Sequence, residues 1–199
     1  MNLFHTGLLR YLKPEQLDRL RQTRVGIAGC GGLGSNIAVL LTRSGLENFI
    51  LLDRDTVEAS NLNRQFFFLS DIGRPKTGAL TQYLRGINPE VKTVLFQETW
   101  SPQNPDRFAG CDIVVEAFDR AGFKKSFVEF YQSRAKYVIS GNGMAGYQRP
   151  QPLAVRQIKN IFIVGDATTD ITNGFAPFAP RVTACAGLMA DIALSLVLN

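Results

Sequence analysis

The sequence predicts an α/β domain: a Rossmann-like mixed sheet, mainly parallel, with antiparallel strands toward the C-terminal side and helices on both faces. Three observations predict it. Residues 25–34, VGIAGCGGLG, run from a short apolar strand into a glycine-rich turn. Residues 35–43 then space Ile37, Ala38, Leu40 and Leu41 as a helix does, and LENFILLDRD supplies a second strand ending in acid. Beyond these, strand-like and helix-like stretches alternate, as parallel βαβ construction requires.

Before the glycine turn, residues 13–22, KPEQLDRLRQ, read as a short helix with Pro14 in its first turn, where a missing N–H costs little. Arg10 lies ahead of it in an N-terminal arm. In the turn itself Gly29, Gly31 and Gly34 occupy the G-x-G-x-x-G positions. The first permits a tight turn, the second lets backbone approach a phosphate, and the third lets helix pack on strand. The free N–H groups at the start of the following helix form an anion site. Asp53 follows about 20 residues on, where such folds place a carboxylate on a ribose hydroxyl.

The next stretch is unlike a dehydrogenase. Asn61, Asn63, Arg64 and Gln65 form a polar cluster, and Arg74-Pro75-Lys76 opens a helix whose apolar face is Leu80, Tyr83, Leu84 and Ile87. Arg64 and Lys76 would then lie beside the glycine loop at the carboxyl ends of the early strands, where open α/β sheets bind ligands. Two cations beside a phosphate loop suit a triphosphate better than a pyrophosphate. Residues 91–96 read as a third strand, and residues 101–110 carry turn signals with room for a short helix. CDIVVEAFD is a fourth strand, with Asp119 at its carboxyl end. An acid there suits a metal ion on phosphates, or equally the N-cap of the next helix.

Residues 123–134 read as helix and 137–140 as a fifth strand, followed by the glycine-rich turn GNGMAGYQ. Residues 153–164 read as antiparallel strands covering a sheet edge, and 165–180 as a long mobile loop, a type that is often functional. Residues 181–198 form a strongly apolar helix that closes the core or makes a subunit contact. With no repeat and no linker, 1–199 reads as one domain. It divides into an arm (1–23), a nucleotide-binding core (24–140) and C-terminal strands, crossover loop and helix (141–199).

Composition narrows the function. The net charge is +5 with no basic run, which argues against nucleic acid as a partner while suiting ATP or an acidic protein. Cys30, Cys111 and Cys185 form no CxxC pair, so zinc is not expected, and each reads as a small core residue. The N-terminus lacks the apolar core of a signal peptide, and no apolar run reaches a bilayer's thickness. A cytoplasmic location, with no membrane partner, is the expectation.

The runs GCGGLGS, LLDRDTVEASNLNRQF, GRPKTGAL and RGINPE resemble the ubiquitin-activating E1 superfamily. EAFD, GNGMAGY and APRV narrow the likeness to the small, zinc-free ThiF type, which activates the sulfur carrier of thiamine biosynthesis. The resemblance implies ATP and Mg²⁺, with AMP transferred to the C-terminal Gly-Gly tail of a ubiquitin-like sulfur-carrier protein, and a homodimer. It places phosphate and adenosine at Gly29, Gly31, Gly32 and Gly34, and the ribose at Asp53 with Asp55 beside it. It makes Arg64 and Lys76 the phosphate-binding cations, Asn61 and Gln65 their polar support, and Asp119 the Mg²⁺ ligand. It offers Arg10 as an arginine reaching ATP in a second subunit. Residues 165–180 hold no cysteine, so adenylation is expected without a covalent thioester, Cys185 being an outside candidate. Three other readings compete. One is an NAD-dependent oxidoreductase; a second is an E1-like activator of a non-protein substrate, such as a tRNA base; a third is a non-catalytic binding module that keeps the fold, against which Arg64, Lys76 and Asp119 speak.

Overall fold

Strand β1 (Arg24–Ala28) is buried at every residue but its first, as a strand with helices on both faces should be. The computed structural model describes residues 2–147, 152–169 and 174–199. In it, β1 pairs in parallel with β2 (Asn48–Leu52) on one side and β4 (Ile113–Glu116) on the other. β3 (Lys92–Phe96) extends the sheet past β2. β5 (Tyr137–Gly141), β7 (Ile161–Gly165) and β6 (Ala154–Ile158) extend it past β4, giving the order β3-β2-β1-β4-β5-β7-β6. This is the expected Rossmann-like sheet, with one refinement. Among the described strands only the β6–β7 pair is antiparallel, because β7 runs parallel to β5. The hairpin turns at Lys159, whose φ is 55°.

From β1 the chain builds outward to β2 and β3, then returns to build β4, β5 and β7 on the other side. The loops after β1 and β4 therefore diverge, leaving a crevice at the carboxyl ends of these strands.

Alternation along each strand sorts the core into two layers. Val25, Ile27, Phe49, Leu51, Val115 and Ile139 join α3 (Gly32–Arg43), α4 (Lys76–Ile87) and α6 (Ala179–Leu198) on one face. Ile50, Leu52, Val114 and Val138 meet Trp100, Phe108, Phe127 and Tyr131 on the other, where α5 (Ala121–Tyr131) lies. Gly26 makes room for that aromatic layer: a Cβ there would lie 2.4 Å from the Phe108 ring. Residues 101–110 form turns rather than a helix and deliver Phe108 into this layer.

The N-terminal arm holds α1 (Leu3–Leu8) as well as α2 (Pro14–Gln22). At six residues α1 is too short for periodicity to reveal. It is capped by the Asn2 side chain, which accepts from the His5 N–H at 3.0 Å. The 20-residue α6, with mean hydropathy 1.7, does reach the length and composition of a membrane-spanning helix, contrary to the sequence expectation. Here Val182, Cys185, Ala186, Met189, Ala190 and Ala193 are buried, and the helix packs chiefly on α3.

Candidate functional site

The chain leaves β1 through Gly29 at φ 96°, a left-handed conformation that side chains rarely adopt. A Cβ on Gly29 would lie 2.8 Å from the Ala117 carbonyl, and one on Gly34 only 1.8 Å from the Gly29 carbonyl. The loop is thus pressed against the end of β4, and α3 against the loop. Gly31 is open by comparison, with nothing nearer to its Cβ position than Gln65 Nε2 at 3.7 Å. Among the described residues no side chain caps α3, so the N–H groups of its first turn have no side-chain acceptor there, a ready anion site.

Asp53 ties this loop to β2. Its Oδ2 accepts from the Cys30 N–H at 2.7 Å and its Oδ1 from the Asp55 N–H at 2.8 Å. Burial pushes its carboxyl above the usual range; the Asp55 N–H, Lys76 and the Cys30 N–H oppose that shift.

Together these residues form one wall of a cavity of about 270 Å³ at the carboxyl ends of the strands. Gly29, Gly31, Gly32, Asp53, Asp55, Arg64, Gln65, Lys76 and Asp119 all line it, although they come from five separate segments. Lys76 is the first residue of α4 and is buried, its Nζ 3.3 Å from Asp55 Oδ2. Arg64 follows a 3-10 turn (Ala59–Asn61), and its Nη1 donates to Ser60 O at 3.0 Å and Asn63 Oδ1 at 2.8 Å. Burial lowers the Arg64 pKa and the nearby Asp119 carboxylate opposes this, so the two side chains feel each other's charge. Gln65 Oε1 is buried with no hydrogen-bond partner among the described residues.

Asp119 is exposed in the loop between β4 and α5, and none of the hydrogen bonds among the described residues involves it. The described residues contain no group of three His, Cys, Asp or Glu side chains that could cage a metal. A single free carboxylate is nonetheless what Mg²⁺ uses when phosphate oxygens and water fill most of its shell.

Three candidates lie elsewhere: Gly34, which packs α3 on the Gly29 carbonyl and is absent from the cavity wall, Asn61 and Arg10. The Asn61 side chain closes the 3-10 turn by accepting from the Glu58 N–H at 3.1 Å, and is absent from the cavity wall. Arg10 is exposed just after α1. That helix is anchored by His5 Nε2 to Glu47 Oε1 at 2.5 Å, and Glu47 precedes β2. The arm therefore sits at the amino ends of the strands, opposite the cavity, and Arg10 does not reach the site of its own chain.

The structure adds residues that sequence reasoning missed. Glu116 is fully buried at the end of β4 and pairs with Lys124 on α5, and Lys124 lines the cavity. The signal was visible: a lone acid closing an otherwise apolar strand needs a partner. Trp100, Phe118 and Phe123 supply an aromatic wall, and Arg54 and Arg120 add two cations. Of the two glycine- and proline-rich stretches, Asn142, Gly143, Met144, Ala145, Thr169 and Pro177 reach the cavity. Residues 148 and 170–173, within those stretches, lie outside the described residues. Asp166 anchors the second stretch. Its oxygens accept from the Thr168 and Thr169 N–H groups, both at 2.8 Å, and from Arg181 Nη2 at 2.5 Å.

Comparison with known proteins bears on this site. The chain is 31% identical over 76% of its length to tRNA threonylcarbamoyladenosine dehydratase of Haemophilus influenzae, of which it spans 59%. It is 36% identical over 53% of its length to the SAMP-activating enzyme E1 of Haloferax volcanii, covering 40% of that protein. Its fold matches E. coli tRNA N6-threonylcarbamoyladenosine dehydratase, TcdA, in complex with ATP. The TM-score is 0.84 at 22% identity, over 97% of this chain and 93% of that one. The chain thus spans about 59% of the length of the first of these curated relatives.

These findings overturn the expectation of a thiamine-pathway sulfur-carrier substrate, and with it a Gly-Gly carrier partner and the exclusion of nucleic acid. The relative matched over three quarters of the chain is named for tRNA, whereas the match to the SAMP-activating enzyme E1 covers about half. The runs EAFD, GNGMAGY and APRV behind the expectation mark a fold that the chain shares with relatives named for different acceptors. The missing basic run excluded too much as well, since dispersed cations also hold a polyanion. The profile of the ThiF family matches residues 5–199, and the chain belongs to the ThiF family.

Proposed function

We propose that this chain is an ATP-dependent adenylating domain whose acceptor is a carboxylate on a modified tRNA nucleoside, as in a threonylcarbamoyladenosine dehydratase. The observation that carries this reading is the convergence of the uncapped α3 N-terminus, Arg64, Lys76 and Asp119 on one cavity. The relatives named for tRNA supply the acceptor. The site residues, and the division of residues 1–199 into arm, nucleotide-binding core and C-terminal part, belong to the same proposal.

A threonylcarbamoyl group ends in a carboxylate, and a carboxylate oxygen is a poor leaving group. Its attack on the α-phosphorus of ATP expels pyrophosphate and leaves the carboxyl carbon esterified to AMP. A neighbouring nucleophile then displaces AMP, so the nucleoside loses the elements of one water. Both reactants in the first step are anions. Arg64 and Lys76 offset the charge that develops on the phosphates, where preorganised cations lower the barrier most. Asp53 fixes the ribose through the lone pairs that Cys30 and Asp55 leave open. Asp119 would hold the Mg²⁺ that, once bound, screens the phosphates and stabilises the departing pyrophosphate. No general base is needed for the attack, because a carboxylate is already ionised at neutral pH.

The test is incubation with ATP, Mg²⁺ and tRNA bearing threonylcarbamoyladenosine, followed by nucleoside mass spectrometry. The expected product is lighter by one water, with release of AMP and pyrophosphate in equal amounts. Turnover with a Gly-Gly carrier protein, and none with tRNA, would overturn the reading.

A further inference from the structure

Glu116, fully buried, and Lys124, partly exposed on the cavity wall, form an ion pair, and its connections single it out. Lys124 Nζ lies 3.2 and 3.3 Å from the two Glu116 oxygens and 2.9 Å from the Gly141 carbonyl. An ammonium has three donors, and these three acceptors can engage all of them. Lys124 therefore lines the cavity without offering a free charge to a ligand. Glu116 in turn accepts from the Phe118 N–H at 2.7 Å and from Ser140 Oγ at 2.6 Å. The acid is fully buried, and the lysine side chain is 20% exposed.

Asp119 sits between the two grips. The Phe118 N–H held by Glu116 is the backbone immediately before it, and Lys124 is in the second turn of the helix that follows. The Gly141 carbonyl fixes the same ammonium to the end of β5. Among the described residues Asp119 has no hydrogen bond to orient it, and its direction is set by backbone that this one ion pair holds from both sides. We propose that Lys124, acting through Glu116, is a positioning residue that aims the Asp119 carboxylate at the divalent cation of bound nucleotide. This inference rests on the ATP reading above.

Isothermal titration calorimetry separates positioning from plain stability. Wild type, Lys124→Met and Lys124→Arg are each titrated with MgATP and with ATP in EDTA. In wild type, magnesium is expected to tighten nucleotide binding. In Lys124→Met the affinity for metal-free ATP stays within about twofold, while at least about tenfold of the magnesium-dependent tightening is lost. Lys124→Arg, which keeps the charge and the donors, restores most of it. Circular dichroism identifies any variant that does not fold, and if Lys124→Met is such a case, Lys124→Gln is judged by the same criterion. An unchanged magnesium gain in a folded variant lacking the lysine charge overturns the positioning role and leaves the function standing. Wild type that binds neither form of ATP overturns the function, and the positioning role with it.

Discussion

Lys76 and Asp55 form an ion pair inside the cavity, with Nζ 3.3 Å from Oδ2, the lysine buried and the carboxylate half exposed. A polyphosphate entering beside the glycine loop must compete with Asp55 for this lysine. Lys76→Ala is expected to lower the adenylation rate at least about tenfold, or about 1.4 kcal/mol of transition-state stabilisation. Asp55→Asn keeps the backbone N–H that Asp53 accepts and leaves the lysine free, so its loss should be smaller. Pyrophosphate release assays check the order; equal losses would mean that the pair matters only for structure.

Arg64 and Asp119 line the cavity and feel each other's charge. Arg64→Ala and Asp119→Ala should each cost at least about tenfold in rate. Both side chains are at least partly exposed, so far-UV circular dichroism should not change. Wild-type rates in both variants would remove them from the chemistry.

Gly34→Ala tests the close fit of loop and helix. The added carbon would lie 1.8 Å from the Gly29 carbonyl and 3.0 Å from Ile27 Cγ2, so backbone must move. A loss of about 1–3 kcal/mol of stability is expected from such overpacking. Nucleotide affinity should fall with it, because the same shift moves the α3 N-terminus. Urea melts and nucleotide titration on one preparation measure both effects.

Asp166 gives a pH dependence with a definite sign. Burial alone would push its carboxyl up, but the Thr169 and Thr168 N–H groups, the Thr169 hydroxyl and Arg181 outweigh it and hold it well below its usual range. A carboxylate lowered on folding stabilises fully above its unfolded pKa of about 4 and loses that contribution as pH falls through the folded value. Asp166→Asn should cost on the order of 2 kcal/mol at neutral pH, the worth of hydrogen bonds to a charged group. Its Tm should then fall less steeply than wild type on acidification below about pH 4. Parallel slopes would show that Asp166 does not carry this dependence.

Cys185 is not expected to act as a nucleophile. Burial pushes its thiol up to about 12, and its Sγ lies 3.6 Å from the Val164 carbonyl. The thiolate is the reactive form and is nearly absent at neutral pH. Cys185→Ala should keep the wild-type rate, and intact-mass spectra after turnover should show no covalent adduct; an adduct on Cys185 would refute this.

Sequence patterns reported what is local. The glycine loop, Asp53, Lys76 at a helix start and Asp119 at a strand end follow from turn chemistry and periodicity, and the structure gathers them on one cavity. Asn61 looked like one more polar group in a run of them, but its amide satisfies a turn N–H three residues away, which short-range spacing does not separate from ligand contact. The Glu116–Ser140 bond joins residues 24 apart and exists only because β4 and β5 are neighbours. The place of Arg10 depends on where α1 docks, and that is set by the pairing of His5 with Glu47.

The order of the strands has an evolutionary consequence. Cavity wall comes from connections after β1, β2, β3, β4, β5 and β7, and the connection after β3 also supplies Trp100 and Phe108 to the core. At about 4.8 Å per strand these loops span roughly 24 Å of sheet. On the proposed function, insertions after β5 and β7 would alter the acceptor side of the cavity without touching the glycine loop. Lineages that exchange one recipient for another should record the exchange there, leaving the sheet beneath nearly silent.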